Sequence, residues 1–282
     1  MASVPEISVG IVKLTFGMRF RLAQACRRYP VLARVADWIF FQGDDIMVLP
    51  RDDTVRRRDI EMNVEVPGPQ DTVLPSDVLR TMIRRSQNHV IMHKCICRSS
   101  NDCQDFPHDL GCIFMGKGAA NIPSSVGRPV SMEEALQHVD LCQEAGLVHI
   151  IGRNKIDSVW LNTGPKEELL TVCHCCPCCC LWKMLPELPD HMSGRMTAMP
   201  GVKVQVDSQL CVGCGSCVES KCCFVDAISI KEGCVIIDPS RCRACGRCMS
   251  VCPHGAITLT IEPDSVRAAV QRVEPLVDVT QG

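Results

Sequence analysis

Six of the eight residues at positions 173–180, in the stretch TVCHCCPCCCLW, are cysteine, and only His174 and Pro177 separate them. Thiols at this density cannot all form disulfides, because neighbours such as Cys175 and Cys176 cannot reach separate partners with acceptable geometry. The chain of 282 residues carries 22 cysteines in an uneven distribution. Residues 1–90 hold Cys26 alone, residues 91–182 hold eleven, and residues 183–282 hold ten. Arg19, Arg21, Arg27 and Arg28 interrupt any apolar core that a secretory signal would need. A reducing, cytoplasmic compartment and thiolate–metal bonding are therefore expected. No run of about 20 apolar residues is present, so no transmembrane segment is expected. A net charge of −2 gives no general attraction to nucleic acid.

The pattern between the cysteines predicts an α+β chain. Residues 1–60 form a basic helical segment. Over residues 10–41 two helical pieces are expected, broken near Pro30. Met18, Leu22, Cys26 and Tyr29 follow one helical period, and Leu32, Val35, Ala36 and Ile39 another. The stripe is expected to pack on the core with the arginines solvated, in preference to a peripheral membrane contact. Residues 61–182 are read as a cysteine-rich mixed α/β domain. Helices are expected from Ser76 to about Gln87 and from the Ser131-x-x-Glu134 capping box to Gly146. Apolar runs at residues 89–93, 147–151, 159–161 and 169–172 read as strands. The first of these runs into Cys95 and the last into Cys173; as parallel neighbours they would deliver both cysteine groups to one sheet edge. Residues 183–201 are a linker, residues 202–262 a second domain, and residues 263–282 a C-terminal helix or tail.

Residues 242–253 read CRACGRCMSVCP, a complete C-x2-C-x2-C-x3-C-P run. Thiolates two residues apart on a wrapping loop can each reach a different iron of one cube, while the fourth reaches a second cluster. Cys211, Cys214 and Cys217 repeat the spacing, and Cys223-x3-Ala227-Ile228 repeats Cys252-x3-Ala256-Ile257. Residues 202–262 thus resemble the bacterial-type ferredoxins with two [4Fe–4S] clusters. The resemblance implies a ferredoxin-type (βαβ)2 fold. It also implies one cluster on Cys211, Cys214, Cys217 and Cys252, and another on Cys242, Cys245, Cys248 and Cys223. Five residues separate Cys217 from Cys223, so Cys222 is the alternative ligand. Gly213, Gly215 and Gly246 suit a chain that must approach a cluster closely. Two structural zinc sites would need only paired thiols, which the triplet spacing exceeds. Cys234 reads as a buried strand thiol. Residues 201–282 carry 8 basic and 9 acidic side chains, so this domain is not strongly acidic and a dedicated redox partner is expected.

The central thiols admit several registers. Cys95 and Cys97, in extended chain, would share one side. Cys103 and Cys112 follow across a polar loop. Cys173, Cys176 and Cys179 repeat the C-x2-C-x2-C spacing, and Cys175-x2-Cys178 is a second register. At least one further iron–sulfur cluster, and at most two, is expected here. It would use Cys173, Cys176 and Cys179 with a fourth ligand from Cys95, Cys97, Cys103 or Cys112; a structural zinc is the alternative. The cysteine pattern resembles that of ferredoxin-domain proteins of strict anaerobes. Gly111-x4-Gly116-Lys117 resembles part of a phosphate-binding loop, but Gly118 stands where a magnesium-binding hydroxyl belongs. Gly116 and Gly118 are expected to bring the backbone close to a cluster or another chain. The function expected is one-electron transfer through the clusters to or from a redox enzyme, with no catalytic residue assigned. The alternative is a reductase whose central cluster is catalytic and is fed by the ferredoxin-like domain.

Overall fold

The computed structural model describes residues 10–12, 15–55 and 74–280. Its centre is a sheet of β1 (Asp45–Val48), β2 (His89–Met92), β3 (Ile113–Met115), β4 (Gly127–Val130), β5 (Val148–Arg153), β6 (Leu170–Cys175) and β7 (Met196–Ala198). The order is β4-β2-β3-β6-β5-β1-β7. Only β1 and β7 pair in parallel; every other neighbouring pair is antiparallel. The fold is α+β.

The central strands are apolar on both faces because both faces are covered. Met47, Ile91, Ile113, Ile151 and Val172 pack beneath the helices Asp77–Arg85, Met132–Glu144 and Ser265–Val273. Ile46, Val48, Val148 and Ile150 face the other way, onto Phe41, Trp182, Met184 and Leu185. Helix Asp77–Arg85 forms with Val78, Leu79, Met82 and Ile83 buried on one side. Helix Met132–Glu144 begins with the expected capping box, in which Ser131 and Glu134 each satisfy the other's backbone N–H. Residues 159–161, expected as a strand, belong instead to the helix Lys155–Leu161. Trp160 Nε1 donates to Asp157 Oδ1 one turn earlier, and Asn162 closes the helix in the left-handed region; three apolar residues cannot outweigh that spacing.

The strands β2 and β6 run in the same direction but are not neighbours, because β3 lies between them antiparallel to both. This still brings the cysteines together. The chain leaves β2 for Cys95 and leaves β6 at Cys175, and Cys112 immediately precedes β3 at that same edge.

After β7 the order is β8 (Val202–Val206), helix Ser216–Glu219, β9 (Ile228–Lys231), β10 (Cys234–Ile237), helix Arg247–Val251 and β11 (Ile257–Ile261). β8 pairs with β11 and β9 with β10, both antiparallel. The stretch expected as a linker contains β7, and residues 263–282, expected as a C-terminal helix or tail, contain helix Ser265–Val273, whose Ala269 and Val273 enter the core of the large sheet.

The N-terminal pieces, helices Arg19–Arg28 and Pro30–Ala36, break at Pro30 as expected, with Tyr29 extended between them. Their packing differs from the expected stripe. Leu22, Tyr29 and Trp38 are 52%, 54% and 66% exposed, while Ala23, Cys26, Ala33 and Phe41 are buried. The small side chains let the backbone lie close on Trp182, Met184 and Leu185, which turns the larger residues outward. Among the described residues no helix is long and apolar enough to cross a membrane.

A Cβ at Gly111 would lie 2.2 Å from the Met92 carbonyl oxygen, so glycine there sets how closely the Cys112 segment approaches the end of β2. Gly111→Ala is expected to cost about 1–3 kcal/mol by overpacking. Anaerobic thermal unfolding followed by circular dichroism checks this; an unchanged midpoint refutes the close approach.

Candidate metal centres

The strand β6 continues through Cys175, so its side chains alternate between the two faces of the sheet. Cys173 and Cys175 fall on one face. Cys112 Sγ donates to Cys173 Sγ at 3.6 Å, and Cys175 shares hydrogen bonds with Cys173 and Cys180. Cys95 and Cys97 reach the same place from the end of β2. Cys95 is extended, but it stands at the N-terminal end of the short helix Ile96–Ser100, and Cys97 lies in that helix's first turn, where the chain swings back toward β3. Cys95, Cys97, Cys112, Cys173, Cys175 and Cys180 line one cavity of about 90 Å³, which Cys176 also borders and which Phe16, Trp160 and Trp182 flank. A water needs only about 10–15 Å³, so this space suits a group of several atoms.

The six thiols resist joint ionisation. The Cys97 thiol beside it holds Cys95 down to about 7. Cys173, then Cys180, hold Cys175 well below the usual thiol range, helped by Arg247 and Arg98. The partners move the opposite way: Cys97 is pushed well up by Cys95, Cys173 by Cys112 and Cys175, and Cys180 by Cys175. Burial and the neighbouring thiols thus disfavour further thiolates, and a cation entering the site would favour them, which is the condition under which cysteines bind metal. Arg98 is buried beneath the site and donates to the carbonyls of His174, at 2.7 Å, and Leu110.

On the opposite face a second group forms. The Sγ atoms of Cys103, Cys176, Cys178 and Cys179 all lie within 4.8 Å of one another. Cys103 and Cys178 approach to 3.5 Å, Cys178 and Cys179 to 3.7 Å, and the Cys179 N–H donates to Cys176 Sγ at 3.3 Å. Of the expected central ligands, Cys95, Cys97, Cys112 and Cys173 therefore gather in the first group, and Cys103, Cys176 and Cys179 in the second. The spacing of Cys173, Cys176 and Cys179 repeats that of a wrapping loop, whereas Cys173 lies in β6, which ends at Cys175, and Cys176 and Cys179 lie in the turn that follows. Cys175, Cys178 and Cys180 complete the two groups; the strand alternation places Cys175 with Cys173, and the turn after β6 sorts Cys178 and Cys180. His174 shares the face of Cys176. It is buried, its Nδ1 lies 2.8 Å from Nδ1 of His149, and burial lowers both rings.

The C-terminal loops carry N–H···S hydrogen bonds of the kind a thiolate ligand accepts. Val235 N–H donates to Cys211 at 3.4 Å, Ala227 N–H to Cys223 at 3.3 Å, and Ala244 N–H to Cys242 at 3.4 Å. Gly213, at φ +65°, leaves no room for a Cβ, which would lie 2.2 Å from the Gly233 carbonyl. Cys222, Cys223, Cys242, Cys245 and Cys248 line one cavity. Burial, then the thiols of Cys252, Cys214 and Cys211, raise Cys217, so these four face one another. These donor sets and their close loops fit iron–sulfur clusters. Cys234 is not a buried strand thiol. It opens β10 partly exposed, and its thiol meets Cys211. Gly116 and Gly118 press the backbone on the Glu168 carbonyl and not on a thiol group, and Lys117 pairs with Glu168 at 3.2 Å.

The two cysteine-rich regions meet directly. Arg247, between Cys245 and Cys248, donates to the Cys175 carbonyl, and the Arg51 N–H donates to the Cys245 carbonyl at 3.2 Å. Gly246 sits at φ +82°, where a Cβ would lie 2.5 Å from Thr54 Cγ2.

Residues 235–258 match the 4Fe-4S binding domain family. The chain is 37% identical over 67 residues to an uncharacterized ferredoxin of Methanocaldococcus jannaschii, covering 24% of this chain and 41% of that protein. It is 40% identical over 60 residues to indolepyruvate oxidoreductase subunit IorA of Methanothermobacter thermautotrophicus, covering 21% and 9%. It is 43% identical over 49 residues to a component of the ion-translocating oxidoreductase complex of Methanosarcina acetivorans, covering 17% and 18%. The chain thus spans less than half the length of these relatives. No solved structure matches. A 4Fe-4S ferredoxin domain stands in the C-terminal part of the chain.

Replacing Arg98 with methionine would leave two buried carbonyls without donors. Arg98→Met is expected to cost about 3 kcal/mol and to loosen the first thiol group before the C-terminal ones. Anaerobic thermal unfolding, with iron retained as a second readout, checks both; full stability would refute the role.

Proposed function

We propose that this protein passes single electrons through three centres in series, to or from a redox enzyme. The observation that carries the reading is the Arg247 hydrogen bond to the Cys175 carbonyl, which lays the loop of one cysteine set directly on another. A [4Fe–4S] cluster supplies one-electron chemistry at a potential set by its hydrogen bonds and solvent exposure. Cys211, Cys214, Cys217 and Cys252 hold the outer cluster, and Cys242, Cys245, Cys248 and Cys223 the inner one, in a ferredoxin-type (βαβ)2 arrangement. The element order and the pairing of β8 with β11 and β9 with β10 support that arrangement. Cys223 is the ligand in preference to Cys222, since Cys223 accepts the Ala227 N–H while Cys222 turns its thiol to the Cys217 carbonyl. The third centre is an iron–sulfur cluster held within the set of Cys95, Cys97, Cys112, Cys173, Cys175 and Cys180.

The order runs outward. The third centre is enclosed, Cys248 is buried, and Cys214 is exposed. Leu210, Val212, Ile230 and Ile236 are exposed on the same unit as Cys214 and offer apolar area to a redox partner. Several relatives are named as parts of oxidoreductase complexes, which supports a dedicated partner. The cysteine content supports a cytoplasmic protein of an anaerobe, with no nucleic-acid partner.

One observation favours the reductase reading. Six thiols exceed the four that one cube takes, and an apolar groove of about 400 Å³ shares Phe16, Ile156 and Trp160 with their cavity. In that reading the third centre is catalytic and a substrate enters along the groove.

Anaerobic purification with iron analysis tests the series. About twelve irons per chain are expected, eight from the C-terminal pair and about four from the third centre. Cys173→Ser should lose the last portion and its EPR signal while keeping the first. A wild-type chain with the C-terminal irons alone refutes the third centre, and turnover of an added substrate would favour the reductase.

A further inference from the structure

Two thiol groups lie on opposite faces of β6, and they differ in size. The six-thiol group surrounds a cavity of about 90 Å³. The group of Cys103, Cys176, Cys178 and Cys179 is contracted, with all four sulfurs within 4.8 Å of one another. Four thiolates at about 2.3 Å from one tetrahedral ion stand about 3.8 Å apart. The 3.5 and 3.7 Å separations of Cys178 from Cys103 and Cys179 match that edge. Among the described residues, neither C-terminal cysteine set is drawn together in this way. A cube holds its ligands further apart, because four irons and four sulfides stand between them. The same molecule therefore contains thiol sets sized for clusters and one four-thiol set sized for a single ion; His138, Cys142 and His174 also lie within 4.8 Å of one another but offer three ligands, not four.

The surroundings also suit a closed structural site. Cys142, Leu147, Phe106 and Leu110 pack around the four sulfurs, and Cys103, Cys176 and Cys179 are buried. The thiols accept backbone N–H groups, Cys176 from Cys179 and Cys103 from Asp105 and Phe106, which offset negative charge and orient the sulfurs. Asn101 Nδ2 ties the Cys179 carbonyl to the end of helix Ile96–Ser100 at 3.4 Å.

We propose that Cys103, Cys176, Cys178 and Cys179 bind one tetrahedral divalent ion of the zinc type, which takes no part in electron transfer. It joins the turn after β6 to the loop after helix Ile96–Ser100. The turn carries Cys180 and follows directly on Cys173 and Cys175 in β6, and the loop follows directly on the helix that carries Cys95 and Cys97. The ion fixes the walls of the neighbouring cavity from behind the sheet. Binding releases the ligand thiol protons to solvent, and no electron moves, because zinc has no accessible redox step.

The test uses the full chain purified anaerobically from cells supplied with iron and zinc. One zinc per chain is expected, and its X-ray absorption edge should report four sulfurs at about 2.3 Å. Cys178→Ser, at the half-buried rim, should lose the zinc and keep the C-terminal irons. Cys142→Ser, whose thiol lies beside the set but outside it, should keep the zinc. Absence of zinc from the wild type, nitrogen or oxygen in its shell, or a mononuclear four-sulfur iron signal in its place overturns the proposal. So does zinc retained in both Cys103→Ser and Cys178→Ser, or loss of C-terminal iron from Cys178→Ser. The wild-type absorption edge decides even where a variant does not fold. Iron content reports separately on the electron-transfer reading, so either can fail alone.

Discussion

Arg98 is the cation on which the cysteine-rich region depends. Its guanidinium is buried against β6 and donates to carbonyls on β6 and on the loop leading to β3. Burial disfavours its charge, and the thiols of Cys95, Cys112, Cys176 and Cys175 more than offset that. A buried cation with no such partners would cost several kcal/mol. Here it stands between two sulfur-rich groups on opposite faces of the sheet and is the counter-charge to both. The antiparallel order of β2, β3 and β6 makes this possible, because it sends two strand ends and one strand start to the same edge.

Much of this was legible in the sequence. The triplet spacing and the repeated Ala-Ile offset mark the C-terminal region, since ligand spacing on a tight loop reflects the size of what it wraps. The capping box and the helix from residue 77 were legible because local chemistry alone decides them. The sorting of the central thiols was not. Cys173, Cys176 and Cys179 look like a loop triplet, and only the hydrogen bonds of β6 to β5 and β3 impose a twofold period through Cys175. Pairing with distant strands leaves no mark in a run of cysteines. The outward turn of Leu22 and Trp38 was hidden for a similar reason: the helical period shows which residues share a face, and the neighbouring surface decides which face is covered.

The N-terminal helices matter to the central cavity through Phe16, which flanks it, and Arg19, which lies over the Phe16 and Phe20 rings at 4.2 and 4.4 Å. The groove between these helices and residues Ile156, Trp160 and Leu181 leads to the same place. A chain that only stored and passed electrons would have little need of such an approach, so this lining is what gives the catalytic reading its weight.

The C-terminal unit is held at both ends. β7 enters it from the large sheet, and helix Ser265–Val273 returns from it into the core of that sheet. Thr54 and Gly246 close the seam between. Many redox chains carry a mobile shuttle domain that swings on a tether between donor and acceptor, and its transit time limits turnover. This unit is instead packed against the large sheet from both sides. Electron passage within the chain would be a tunnelling step at constant separation, insensitive to solvent viscosity, and only the encounter with an outside protein would depend on diffusion.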